Sequence, residues 1–154
     1  MADRIMSHEE TGILPVINIP QAEIAESVAE ALRDGGLNSI EVTLRSPDSL
    51  ESIRIIKEKY PDMTVGAGTV LSTQTVDEAL KAGADFIVCP GYDEEIVDYC
   101  IAKQVQVIPG CTSASEIQKA VKKGLKVLKF FPAELSGGLD AIKLLSGPFP
   151  NVKF

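Results

Sequence analysis

Short apolar runs alternate with longer amphipathic segments along nearly the whole chain. The apolar runs are rich in Val and Ile, and each is followed by residues whose apolar positions recur at helical spacing. One such unit spans roughly twenty residues, as in a repeating strand–helix architecture. The pattern predicts strands over residues 13–19, 39–45, 64–70, 86–91, 105–110 and 127–134, with a further strand beginning at 151–154.

Capping residues and glycines locate the helices between these strands. The pair Ser46-Pro47 predicts the start of the second helix, with the serine as cap and the proline in the first turn. Ser113 and Glu116 have the spacing of a capping box. The predicted helices cover residues 21–34, from 46 onward, 72–83, a segment ending at 100, 113–124 and about 139–145.

Six strand–helix units and the start of a seventh strand indicate a parallel α/β protein. A doubly wound open sheet and a barrel are both compatible with this order. A barrel fits better, because polar residues recur inside the strands and Pro or Gly recurs at their C-terminal ends, where barrels carry catalytic groups. We therefore expect residues 1–154 to form a single domain of the TIM (β/α)8 class.

The second strand alternates strictly between apolar and polar residues. Ile40 and Val42 share one face, while Glu41, Thr43 and Arg45 share the other. A solvated sheet face produces the same pattern. In a closed parallel barrel the polar face would instead point inward, because helices cover the outside.

A lysine, Lys129, stands alone inside the apolar sixth strand. A buried ammonium is costly unless it is paired or loses its proton, and a lysine in such a place is a candidate Schiff-base nucleophile. The simpler interpretation is a side chain that extends past the strand end to solvent. The polar residues elsewhere in the chain favour the nucleophile.

Composition and charge exclude several classes of function. The net charge of −7 and the lack of a basic run argue against nucleic acid as a partner. No apolar segment approaches the ~20 residues that span a membrane. The polar N-terminus is not a signal peptide. Three cysteines in or beside apolar segments indicate free buried thiols, which are typical of a reducing compartment, so we expect a cytoplasmic protein. His8 is the one histidine, which argues against Ser-His triads and most metal sites.

The polar residues of the strands and strand ends can meet at one mouth of a barrel. A lysine, a carboxylate, an arginine and a hydroxyl suit a 2-oxo acid: the arginine and hydroxyl bind its carboxylate, the lysine attacks its ketone, and the carboxylate moves protons. Structural alternatives to this binding site remain. Glu41 and Arg45 can form a structural ion pair along the strand, and Pro90 can be an ordinary proline of a loop. The converging residues are Glu41, Arg45, Thr69, Pro90, Lys129 and Phe131.

Six short motifs resemble the 2-keto-3-deoxy-6-phosphogluconate (KDPG) and 4-hydroxy-2-oxoglutarate (KHG) aldolase family in order and spacing along nearly the whole chain. Each motif is weak alone, but the set is specific. They are residues 40–45 (IEVTLR), 66–70 (GAGTV), 89–91 (CPG), 108–110 (IPG), 129–134 (KFFPAE) and 147–150 (GPFP).

The resemblance implies a (β/α)8 barrel, usually a homotrimer, and a class I aldolase that needs neither metal nor cofactor. It implies that the enzyme splits KDPG into pyruvate and glyceraldehyde 3-phosphate, and possible activity on KHG. By position, Lys129 resembles the Schiff-base lysine and Glu41 the proton-shuttling residue. Arg45 and Thr69 resemble the binders of the pyruvate carboxylate. Pro90 resembles the residue packed beside the lysine, and Phe131 a lining residue of the pocket.

The resemblance also implies missing parts. Family members continue past the equivalent of Phe154 and carry their phosphate-binding loops there. We therefore expect an incomplete barrel of about six β/α units plus a seventh strand stub. Activity on the phosphorylated substrate is expected to be weak or absent. Two alternatives are a catalytically inactive partial barrel that acts as an oligomerisation module, and a metal- or phosphate-dependent barrel isomerase. The scarcity of histidine argues against the isomerase.

Overall fold

A computed structural model describes residues 12–154, and its strands form one parallel sheet in the order in which they occur in the chain. The strands are β1 (Val16–Ile17), β2 (Ser39–Thr43), β3 (Thr64–Gly68), β4 (Phe86–Cys89) and β5 (Gln106–Pro109). Each pairs in parallel with the next. The predicted polar leader over residues 1–11, including His8, lies outside the described residues.

Helices connect these strands at the places that the sequence pattern predicts. They are α1 (Ala25–Asp34), α2 (Ser49–Lys59), α3 (Thr73–Lys81), α4 (Glu94–Ala102), α5 (Ala114–Lys122) and α6 (Gly138–Ser146), with 3-10 turns at Ala22–Ile24 and Glu134–Ser136. The predicted capping box is present, with Ser113 and Glu116 bonded reciprocally at the start of α5.

The predicted start of the second helix is wrong. We placed it at Ser46-Pro47, but α2 begins at Ser49, and Asp48 precedes it without a side-chain cap. The hydroxyl of Ser46 donates instead to the carbonyl of Ile19, which follows β1. The cap residue is therefore engaged in a contact between distant segments, which local spacing does not reveal.

The sixth and seventh predicted strands extend the sheet as isolated parallel bridges. Gly110 bridges Lys129, and Val127 bridges Lys153. The Lys129 amide donates to the carbonyl of Pro109 at 3.0 Å, while the Cys111 amide donates to the Lys129 carbonyl at 2.8 Å. Proline has no N–H, so Pro109 accepts a bond here and cannot return one, which shortens the ladder.

The sheet has a hydrophobic layer on each face. On the helix side, Ile40, Val42, Val65, Ala67 and Ile87 belong to the main core with residues of α1 to α4. On the other face lies a smaller cluster, which we call the inner cluster: Phe86, Val88 and Ile108, with Leu14 and Val127 packed against them. An apolar layer on both faces is typical of a parallel α/β sheet.

The polar face of β2 is buried, as a barrel requires. Glu41 and Thr43 are each only 2% exposed, and they alternate with Ile40 and Val42 of the main core. Glu41 therefore lies on the inner face, next to Gly66 of β3 in the strand register. The alternative of a solvated sheet face does not hold for this strand.

A half-buried ion pair connects α2 to the starts of β3 and β4. Lys57 of α2 donates to Asp85 Oδ2 at 2.9 Å and to the carbonyl of Met63 at 2.8 Å. Asp85 Oδ2 also accepts the amide of Val65 at 2.9 Å. These contacts lie at the N-terminal ends of the strands. Lys129 lies at the opposite end of the sheet, where it bridges Gly110 just after the C-terminal end of β5.

Candidate active site

Lys129 and Glu41 meet across the inner face of the sheet. Lys129 Nζ donates to Glu41 Oε1 at 3.2 Å, although the two residues are 88 positions apart in the chain. The Glu41 side chain is 3% exposed and that of Lys129 is 23% exposed. We expected a buried lysine. Its side chain is partly exposed, while that of its carboxylate partner is almost closed to water.

This pairing bears on the alternative that Glu41 forms a structural ion pair with Arg45. The carboxylate bonds Lys129, so the structure does not support the alternative of an ion pair with Arg45 along the strand. An amine that must attack a carbonyl has to lose a proton first. A carboxylate within hydrogen-bond distance of Nζ, on a side chain almost closed to water, is suited to accept that proton and return it.

Arg45 and Thr69 lie together where β2 and β3 end. Arg45 Nε donates to Thr69 Oγ1 at 3.1 Å. The two exits are joined by the backbone, since the Leu44 amide donates to the carbonyl of Gly68 at 2.8 Å. A guanidinium and a hydroxyl side by side form a binding pair for a small carboxylate.

The backbone of Thr69 is strained. Its φ is 60°, in the left-handed region that β-branched residues rarely adopt. Such outliers persist where the surrounding structure enforces them, and they concentrate at ligand-binding and catalytic sites. The strain therefore supports the prediction that the Thr69 hydroxyl has a functional position.

Phe131 lies beside the lysine, whereas Pro90 lies against the neighbouring segment. Lys129 Nζ lies 5.3 Å from the centroid of the Phe131 ring, a cation–π distance. Pro90 follows β4 and approaches Gly110, where a side chain would meet the Pro90 carbonyl oxygen at 2.1 Å. Because Gly110 bridges Lys129, Pro90 lies one segment away from the lysine across this glycine.

Sequence reasoning missed an aromatic ring on the inner face of the sheet. Phe86 is fully buried in the inner cluster and lies next to Gly66 in the register of β3 and β4. A side chain at Gly66 would overlap this ring at 2.1 Å. The signal was present as Gly66 and Phe86 on inner-face positions of neighbouring strands, but Gly66 entered our prediction only as part of the motif over residues 66–70.

Other candidate nucleophiles and ligands are weaker. Burial raises the pKa of Cys89 and of Cys111 to about 12 and that of Cys100 to about 11, so these buried free thiols are protonated at neutral pH. Within residues 12–154 there is no group of three His, Cys, Asp or Glu side chains that could hold a metal ion. No helix in the same range is long and apolar enough to cross a membrane.

The family model of KDPG and KHG aldolases matches residues 5–154 of the chain. The chain belongs to the KDPG and KHG aldolase family. This confirms the resemblance seen in the short motifs. The match covers all six motifs, and with them every residue that we placed in the candidate site.

Named relatives of this aldolase family agree with the assignment. The 2-dehydro-3-deoxy-phosphogluconate aldolase of Pseudomonas aeruginosa is 45% identical over 145 residues, which are 94% of this chain and 66% of that protein. The chain thus spans about two thirds of the length of this relative.

Solved aldolase structures share the fold. The KDPG aldolase of Zymomonas mobilis ZM4 with 3-phosphoglycerate matches with a TM-score of 0.93 at 40% identity, over 100% of this chain and 74% of that one. The KDPG aldolase of Legionella pneumophila, with pyruvate captured as a covalent carbinolamine, matches with a TM-score of 0.89 at 38% identity, over 92% of this chain and 68% of that one. The predicted parallel α/β fold of the aldolase type is confirmed.

Proposed function

We propose that this chain is a class I aldolase that forms a Schiff base between Lys129 and pyruvate. The observation that carries the proposal is the 3.2 Å contact between Lys129 Nζ and Glu41 Oε1, which combines a lysine nucleophile with a proton acceptor on the inner face of the sheet. The substrate is KDPG, cleaved to pyruvate and glyceraldehyde 3-phosphate. KHG, cleaved to pyruvate and glyoxylate, is a second substrate of the same chemistry.

The reaction begins when Glu41 takes a proton from the Lys129 ammonium. The free amine adds to the C2 carbonyl of the substrate to give a carbinolamine. Glu41 returns its proton to the carbinolamine hydroxyl, which leaves as water and gives an iminium ion. Glu41, through a water molecule, then takes the proton of the C4 hydroxyl. The C3–C4 bond breaks, its electron pair moves to the iminium nitrogen to give an enamine, and the aldehyde leaves. Protonation of the enamine at C3 and hydrolysis release pyruvate and restore the amine.

The other site residues bind and orient the substrate. Arg45 and Thr69, bonded at 3.1 Å, hold the carboxylate of pyruvate and so fix the C2 carbonyl for attack. The face of the Phe131 ring favours the positive iminium nitrogen. Pro90 lies across Gly110 from the lysine, and its backbone carbonyl closes the space beside that glycine. Every group in this scheme is a side chain of the protein, so the scheme needs no cofactor.

The finer features of the assembly belong to the same proposal. We propose that residues 1–154 form a single aldolase domain with the architecture of a (β/α)8 barrel, in which six β/α units and a seventh segment are present. The bridge between Val127 and Lys153 supports the seventh segment. We further propose a homotrimer in the cytoplasm, which takes pyruvate and a phosphorylated keto-deoxy sugar acid as ligands.

Borohydride trapping with pyruvate tests the proposal. Reduction of the iminium ion leaves a stable mass increase on the peptide that contains Lys129. We expect the adduct in the wild type, and its absence in Lys129→Met. Lys126→Met is the matched control, since Lys126 is exposed on the same segment and its variant should keep the adduct. A folded wild type without an adduct would contradict the proposal and support the inactive oligomerisation module.

A further inference from the structure

Gly68 occupies the last position of β3, directly beside the carboxylate of Glu41. A Cβ built on Gly68 would lie 2.2 Å from Glu41 Oε1 and 2.8 Å from its Cδ and Cγ. These three are the nearest atoms that a side chain would meet there. The space that glycine leaves open at this position is therefore the space that the Glu41 carboxylate fills.

Backbone conformation does not explain the glycine. Among the described residues, the positive-φ glycines are found elsewhere in the chain, at 12, 36, 83, 124, 137 and 138. Gly68 adopts a strand conformation that any residue can take, and its backbone pairs in register with Thr43. A strand glycine of this kind marks close approach of another group, and here that group is Glu41.

We propose that Gly68 is a positioning residue that seats the Glu41 carboxylate against Lys129. The proposal rests on the proposed aldolase function. The 3.2 Å contact between Lys129 Nζ and Glu41 Oε1 is at the long end of N–H···O hydrogen bonds. A methyl group at Gly68 would push Oε1 away by about 1 Å, and a shift of that size at a reacting group lowers rates on the order of 100-fold.

The expected loss concerns catalysis more than folding. The atoms that the methyl group meets are Oε1, Cδ and Cγ of one side chain and not backbone atoms, so the strain falls on the rotamer of Glu41. At Gly66, by contrast, a methyl group would overlap the buried Phe86 ring. Gly68→Ala should therefore stay folded and lose the function of Glu41.

The pyruvate half-reaction measures this function without the aldehyde or its phosphate. Two readouts are compared: exchange of the pyruvate methyl hydrogens in D2O, followed by NMR, and borohydride trapping on Lys129 after long incubation. Exchange needs proton transfer at C3, whereas the adduct that accumulates over a long incubation needs bound pyruvate and the lysine but no proton transfer at C3. We expect Gly68→Ala to slow exchange on the order of 100-fold while the adduct still forms.

A double-mutant cycle with Glu41→Ala separates positioning from general damage. If Gly68 acts through the carboxylate, Gly68→Ala adds no further loss to Glu41→Ala. Losses that multiply would overturn the proposal, and so would wild-type exchange in Gly68→Ala. Gly91→Ala is the matched control, because a side chain at Gly91 meets nothing within 4 Å, and its exchange rate should equal that of the wild type.

Folding of each variant is checked by urea unfolding. Should Gly68→Ala fail to fold, the double variant should fold, since removal of the Glu41 side chain vacates the space for the methyl group. A double variant that also fails to fold would overturn the proposal. Wild-type protein that neither exchanges nor traps would refute the aldolase function itself, which distinguishes that failure from failure of the role of Gly68.

Discussion

Two lysines of α2 allow a matched test of what burial adds to an ion pair. Lys57 and Lys59 each lie 2.9 Å from a carboxylate oxygen, of Asp85 and Glu26 respectively. The Lys57 and Asp85 side chains are 19% and 20% exposed, while those of Lys59 and Glu26 are 54% and 48% exposed. The lysine, the helix and the distance are the same, whereas burial, the type of carboxylate and the added bond from Lys57 to the Met63 carbonyl differ.

Lys57→Met should destabilise the fold by about 2–3 kcal/mol. Methionine retains most of the aliphatic stem, so the packing of that stem is largely kept. The ammonium is lost, and with it the bonds to Asp85 and to the carbonyl of Met63. Loss of one member of a buried pair costs about 3–5 kcal/mol, and we take a lower value because about a fifth of each side chain remains in water. Lys59→Met should change stability far less, as exposed pairs do.

Urea unfolding followed by circular dichroism measures the difference. A loss of about 2–3 kcal/mol lowers the midpoint by about 1–2 M. Adding Asp85→Asn to Lys57→Met should recover part of the loss, because the amide oxygen can still accept the Val65 amide and no unpaired charge remains. Equal midpoints for Lys57→Met and Lys59→Met would show that burial of this pair contributes nothing.

Two further predictions concern the strained threonine and the thiols. Thr69→Gly should not lower the free energy of unfolding, since glycine relieves the strain of the φ of 60°. The variant should need a higher pyruvate concentration for borohydride trapping, because the hydroxyl beside Arg45 is gone. A fall in the urea midpoint would contradict the stability prediction. Cys89, Cys100 and Cys111 should react with a thiol reagent at pH 8 only as the protein unfolds. Burial raises the pKa values of these thiols, so the folded state keeps protons that the unfolded state loses. The free energy of unfolding should therefore fall as pH rises above about 8.5, which urea midpoints measured across this range would check. Rapid labelling of the folded protein would refute the prediction about thiol reactivity.

Local patterns predicted the elements well where the deciding contacts are local. The capping box of Ser113 and Glu116 and the cap at Ser72 mark the starts of α5 and α3, because the bonds involved span three residues. The start of α2 was predicted wrongly, because the hydroxyl of Ser46 bonds Ile19, which is 27 residues away. The first strand was predicted over seven residues, yet regular pairing covers only Val16 and Ile17, in a run that contains Pro15.

The sequence likewise predicted some contacts of the candidate site and left others open. The alternation over residues 39–45 placed Glu41 and Arg45 on one face, and the lone lysine of the apolar sixth segment, together with these polar residues, made Lys129 a candidate nucleophile. Sequence alone left open whether Glu41 pairs with Arg45. In the structure Glu41 bonds Lys129, while Arg45 bonds Thr69.

The sequence by itself determined the order of the elements, which side chains of the second strand share a face, and the family to which the chain belongs. These follow from periodicity and motif spacing, which act over a few residues. Only the tertiary structure decided that Lys129 meets Glu41 at 3.2 Å, that Lys129 stays partly exposed and that Gly68 leaves room for the carboxylate. The physical reason is that periodicity and spacing determine the direction in which the side chains of one element point. The distance between atoms of residues 88 positions apart depends instead on how the strands pack side by side.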